Sequence, residues 1–135
     1  MIKPSRKKAV IFTDEKMKKV VLIESWSVML KFMEDILKKV VGYELYIVLR
    51  DAKSLEKYIK GNDIALLILD ITTSDENEIF EMTKRIRGGC PDIRIILTTM
   101  TTSAILEEKA KAAGANGIWQ KEISESSFIK ACALL

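Results

Sequence analysis

Histidine is absent from this 135-residue chain. That removes imidazole metal sites and every mechanism that needs a histidine general base, and no serine or cysteine stands beside another base by pattern. A free-standing nucleophilic enzyme therefore has no constellation to work with. Cysteine is scarce: Cys90 and Cys132 form no CxxC pair and read as free thiols of a reducing compartment. Long apolar runs are missing too. The longest, Ile64 to Leu69, is far short of a membrane span. The basic start (Lys3, Arg6, Lys7, Lys8) leads only into Ala9–Phe12, too brief for a secretory signal. The expectation is a soluble cytoplasmic protein without a membrane span. Neither GxGxxG nor GxxxxGK[ST] occurs, which counts against a flavin- or nucleotide-binding protein. No internal repeat or low-complexity segment is seen.

What is present suits one domain. Hydrophobic residues make up 48% of the chain, and mean hydropathy is +0.09, enough for a packed core and against disorder. The net charge of +3 is uneven. Residues 1–19 hold seven Lys/Arg against two Asp/Glu, so the remainder is slightly acidic. The body is then no nucleic-acid surface by charge. Residues 1–18 read as a basic, flexible extension, although Ala9–Phe12 has the composition of an edge strand. Residues 19–135 read as the domain.

Within the domain, short apolar runs alternate with helical patterns. Val20–Ile23, Leu45–Leu49, Ile64–Leu69, Ile93–Leu97 and Gly117–Trp119 read as strands. Between them, Met29, Phe32, Met33, Ile36, Leu37 and Val40 mark one helix face, with Ser27 as its cap and Gly42 as its stop. Leu55, Tyr58 and Ile59 mark a second helix, capped by Asp51 and ended by Gly61. Ile79, Met82 and Ile86 mark a third, stopped by Gly88, Gly89 and Pro91. Ile105, Leu106, Ala110 and Ala113 mark a fourth, closed by Gly114. Phe128, Ile129, Cys132 and Leu135 mark a fifth, capped by Ser124. Strict alternation with doubly apolar central strands implies an α/β fold: a five-stranded parallel sheet with helices on both faces and right-handed crossovers.

Ligands of such sheets bind at the carboxyl ends of the strands. Glu24-Ser25 stands at the end of the first strand, Asp70 at the third, Thr98-Thr99 at the fourth and Lys121 after the fifth. Two carboxylates, a hydroxyl and an ammonium on one edge suit a phosphoryl group and a divalent cation. Singly, each has a plainer reading: a lone Asp after a strand is often a turn residue, and a Lys there is usually solvated. The joint placement carries the argument.

The stretches KVVLIES (19–25), LLILDIT (66–72), IRIILTT (93–99) and GANGIWQKE (114–122) resemble the receiver domain of two-component response regulators, of the chemotaxis-regulator kind. The resemblance covers about residues 19–135. It implies a flavodoxin-like sheet of strand order 2-1-3-4-5. It implies Asp70 as acceptor of a phosphoryl group from a histidine kinase or phosphotransfer protein. Glu24 would be the first of the family's acidic pair, Thr98 the switch hydroxyl and Lys121 the phosphoryl-contacting lysine. Mg2+ would be held by Glu24, Asp70 and the Thr72 carbonyl. An output partner that the sequence does not name, or a second copy of the chain, would read the switched surface.

Three departures stand out. Ser25 replaces the second acidic residue, which should weaken Mg2+. Glu122 stands where a proline is common. Ile118 stands where the family often has an aromatic residue, with Trp119 beside it as a packing residue. Ser25 and Ile118 keep a second reading open, a phosphorylation-independent receiver that binds its partner constitutively.

Overall fold

The computed structural model describes residues 16–134. The basic head before residue 16, including Ala9–Phe12, lies outside the described residues, as does Leu135. Five strands, β1 (Lys18–Ile23), β2 (Tyr43–Leu49), β3 (Ile64–Asp70), β4 (Arg94–Thr99) and β5 (Gly117–Gln120), alternate with helices α1 (Ser27–Lys39), α2 (Leu55–Ile59), α3 (Glu76–Gly89), α4 (Ala104–Ala112) and α5 (Glu125–Cys132). The sheet has the order β2-β1-β3-β4-β5, and every pairing is parallel. In the numbering of the strands this is 2-1-3-4-5.

The alternation of a strand's side chains sorts the core into two layers. Val21, Ile23, Leu67, Leu69, Ile95 and Leu97 face α2, α3 and α4. Val20, Leu22, Leu66, Ile68, Ile96 and Trp119 face α1 and α5. β3 is therefore buried on both sides, which is why its sequence is almost wholly apolar. The α1 stripe of Met29, Met33, Ile36 and Leu37 is buried as its spacing requires.

Several local expectations are corrected. Ser27 does not cap α1. Trp26 holds the cap position with no side-chain hydrogen bond, and the Ser27 hydroxyl accepts from Arg50 Nη2 at 2.9 Å instead. Asp51 does not cap α2 either: its carboxylate takes the Lys53 N–H within a turn, and Ser54 precedes the helix. Gly88 and Gly89 form the last turn of α3, which ends at Cys90 ahead of Pro91. Ile105 is exposed on α4, where only one residue, Ala110, is fully buried. Near the end of α5, Phe128 and Cys132 are buried as expected and Leu134 packs beside them, while the expectation for Leu135 falls outside the described residues. Ser124 does cap α5, accepting from the Ser127 N–H.

At the amino edge, Arg87 donates to the carbonyls of Gly114 and Pro91 and to Asn116 Oδ1, fixing α3 to the turn before β5. Gly114 is required there: its φ is +97°, and a Cβ would fall 2.8 Å from Arg87 Cγ. Cys90 and Cys132 are free thiols, and burial pushes Cys132 up to about 12. Among the described residues no helix is long and apolar enough to cross a membrane.

Candidate functional site

Register brings the chemistry to the carboxyl edge. Ile23 pairs with Leu69, so Glu24 follows β1 beside the end of β3. Asp70, the last residue of β3, pairs with Thr98 of β4, and Thr98 pairs with Trp119 of β5. Lys121 follows β5 and extends that ladder by donating its N–H to the Thr99 carbonyl at 2.8 Å. Glu24, Asp70 and Thr98 are all fully buried, as is the Lys121 side chain but for 2%.

The Lys121 ammonium lies between the two carboxylates, 2.9 Å from Glu24 Oε2 and 3.1 Å from Asp70 Oδ2. Asp70 Oδ1 accepts from the Thr72 N–H at 2.9 Å and the Thr72 hydroxyl at 2.7 Å. Asp70 Oδ2 also accepts from the Ser25 hydroxyl at 3.1 Å. Glu24 Oε2 takes the Trp26 N–H at 2.9 Å, while Glu24 Oε1 and the Thr98 hydroxyl are buried without a hydrogen-bond partner.

The two acids are tuned apart. Burial pushes the Glu24 carboxyl above its ordinary value, and the contacts with Lys121 and the Trp26 N–H only partly offset this. Burial also pushes Asp70 up, but the two Thr72 bonds and the Lys121 ammonium together outweigh it and hold Asp70 below the ordinary range. Asp70 is thus the better-stabilised anion.

Does this set fit a divalent cation? Two carboxylates on adjacent strands, one with a buried oxygen lacking a partner, form a hard-oxygen donor set of the kind magnesium uses while keeping several waters. The fit is lean. Among the described residues no group of three His, Cys, Asp or Glu side chains comes together, and Lys121 already balances one of the two negative charges.

Glu24, Asp70, Thr72 and Lys121 are therefore joined in one chain of direct contacts, and Thr98 lies opposite Asp70 on the adjacent strand with its hydroxyl unengaged. Sequence reasoning treated Ser25 only as a missing ligand, whereas it hydrogen-bonds Asp70. It missed Arg50 altogether. Arg50 follows β2, and although the expected strand order sets β2 beside β1, nothing in its local sequence says that its side chain reaches the loop after β1. A cleft lined by Lys18, Asp63, Asp92 and Arg94 opens at the amino edge, away from these groups.

Fold and site define the class: a doubly wound parallel α/β domain with a buried carboxylate–ammonium cluster where its strands end. Within that class the chain belongs to the response regulator receiver domain family, whose sequence profile matches residues 20–133. Members of this family are generally signalling modules rather than enzymes. Similar solved structures share the fold. A CheY-like receiver domain protein from Methanospirillum hungatei superposes with a TM-score of 0.70 at 22% identity, covering 85% of this chain and 90% of the other. The isolated receiver domain of RcsB from Salmonella enterica serovar Typhimurium, solved with a phosphomimetic, gives 0.74 at 18% identity, with 87% of each chain covered. A response regulator from Thermotoga maritima gives 0.69 at 15% identity, covering 87% and 98%. No curated protein is significantly similar in sequence.

Proposed function

We propose that Asp70 accepts a phosphoryl group from a phosphohistidine on a partner kinase or phosphotransfer protein, and that the acyl phosphate changes what the domain binds. The observation that carries this is Asp70 itself. It is a fully buried carboxylate held as an anion by Thr72 and Lys121 at the end of the central strand. In the transfer the N–P bond of the donor breaks and an O–P bond to Asp70 forms, while the imidazole leaves and takes up a proton. Lys121 moves from pairing a carboxylate to pairing phosphoryl oxygens, as an ammonium can. The Thr98 hydroxyl, which has no partner to give up, turns toward the new charge. That rotation is the local event a surface formed by α4, β5 and α5 would report. Mg2+, held by the carboxylates of Glu24 and Asp70 and the Thr72 carbonyl, would supply charge neutralisation at the transferring group.

The test is intact mass after incubation with acetyl phosphate and Mg2+. A phosphate-sized gain in the wild type, absent in Asp70→Asn, is expected. No gain in a folded protein would favour the constitutive reading. Ser25 and the full hydrogen bonding of both Asp70 oxygens are the observations on that side.

Ser25→Asp adds a carboxylate beside Asp70 and should raise Mg2+ affinity at least about tenfold. Titration of tryptophan fluorescence reads this, since Trp26 is partly exposed and its N–H is bound to Glu24. An unchanged affinity would mean that Glu24 and Asp70 do not hold the ion.

A further inference from the structure

Asp70 has no exposed surface, yet Ser25 and Thr72, whose hydroxyls contact it, are both exposed. They roof the acceptor. The Thr72 half of the roof is local: it closes a turn two residues from Asp70 and re-forms wherever that turn does. The Ser25 half spans 45 residues and depends on where the β1–α1 loop sits. Arg50 anchors that loop from outside, while within it the Ser25 N–H reaches Asp70 Oδ2 at 3.5 Å and the Trp26 N–H reaches Glu24 Oε2 at 2.9 Å. From the end of β2 the Arg50 Nη2 donates to the Ser25 carbonyl at 2.6 Å and to the Ser27 hydroxyl at 2.9 Å.

This arrangement breaks two local rules at once. Ser27 gives its hydroxyl to Arg50, and α1 begins with no side-chain cap and no acid in its first turn. A guanidinium also sits at the helix end whose dipole disfavours a cation. Local rules are broken where function is served.

We propose that Arg50 and Ser25 form a latch on Asp70: Arg50 holds the loop so that the Ser25 hydroxyl covers Oδ2, and a donor reaches the acceptor when the latch opens. The inference rests on the reading of Asp70 as acceptor. Arg50 is a positioning residue and is exposed, so an anion that competes for its guanidinium opens the latch. The phosphoryl group of the donor is such an anion.

Arg50→Met removes the donors at a surface position. It should take up phosphate from acetyl phosphate about twofold to tenfold faster than wild type, the worth of one hydrogen bond. Ser25→Ala should match it, the double variant should be no faster than either, and Arg50→Lys should fall between. A second readout needs no phosphorylation. The Thr72 amide donates to Asp70 and has no hydrogen bond to Arg50, so its NMR signal should move the same way in Arg50→Met as in Ser25→Ala. An unmoved Thr72 amide, or an Arg50→Met rate at or below wild type, overturns the latch. If no variant gains phosphate while the amide moves alike in both, the latch stands and the acceptor reading falls.

Discussion

Replacing Lys121 with methionine is expected to lower the unfolding free energy by about 3–5 kcal/mol at pH 7, the usual cost of stranding buried charge. Methionine fills the volume, so the loss is electrostatic. Two carboxylates that are themselves fully buried would lose their one shared cation. The effect should depend on pH. In the folded chain Glu24 holds its proton more tightly than in the unfolded one, so its contribution to stability falls as pH rises above 4.5. Asp70 does the opposite, contributing stability above 3.8 that is lost as pH falls through its lower folded value. Without the ammonium, Glu24 rises further and takes up its proton more readily as pH falls, and a neutral acid needs no counter-charge. Urea denaturation of both proteins at pH 7 and pH 5 should show the deficit shrinking at the lower pH. A deficit below about 1 kcal/mol at pH 7 would place the pair among weak surface contacts instead.

Phe128→Ala should cost about as much, about 3–5 kcal/mol, for a different reason. The ring is fully buried and meets Trp119 edge-on at 5.3 Å and Phe32 at 6.4 Å. Alanine leaves a void among side chains fixed by the sheet on one side and α1 on the other. Trp119 stays tethered through its indole N–H to the Ser127 hydroxyl, so its emission should shift to the red as water reaches the void. Trp119 lies on β5 two residues before Lys121, which follows that strand, and this links the cavity to the site: the variant should also take up phosphate more slowly. Full retention of stability would show that α5 relaxes onto the sheet and closes the space.

The elements whose burial is uniform were legible. The apolar run of β3 and the spacing of Met29, Met33, Ile36 and Leu37 can satisfy only one geometry each. So was the placement of Asp70 and Lys121, because strand ends follow from strand runs. Capping was less legible. Ser27 has the right chemistry for a cap, but a guanidinium from a neighbouring strand outbids the helix for its hydroxyl. Ile105 shows the limit of periodicity on a helix with a narrow buried face: its spacing fits the stripe, yet only Ala110 of α4 is fully covered. The roles of Ser25 and Arg50 depend on which side chains meet across neighbouring strand ends, a fact that strand order and local sequence do not contain.

The two irregularities of β1 both fall among its first residues, at Lys19/Val20 against β3 and Val20/Val21 against β2. From Val21 onward β1 runs in step with both neighbours to the edge that carries Glu24 and Asp70. The sheet thus behaves like a ruler with its play at one end. An epitope or fluorescent label spliced into the turn at Asn62–Asp63, just before β3, would be absorbed where slack already exists. The same insertion after Arg50 or Met100 would move the marks from which the site is measured.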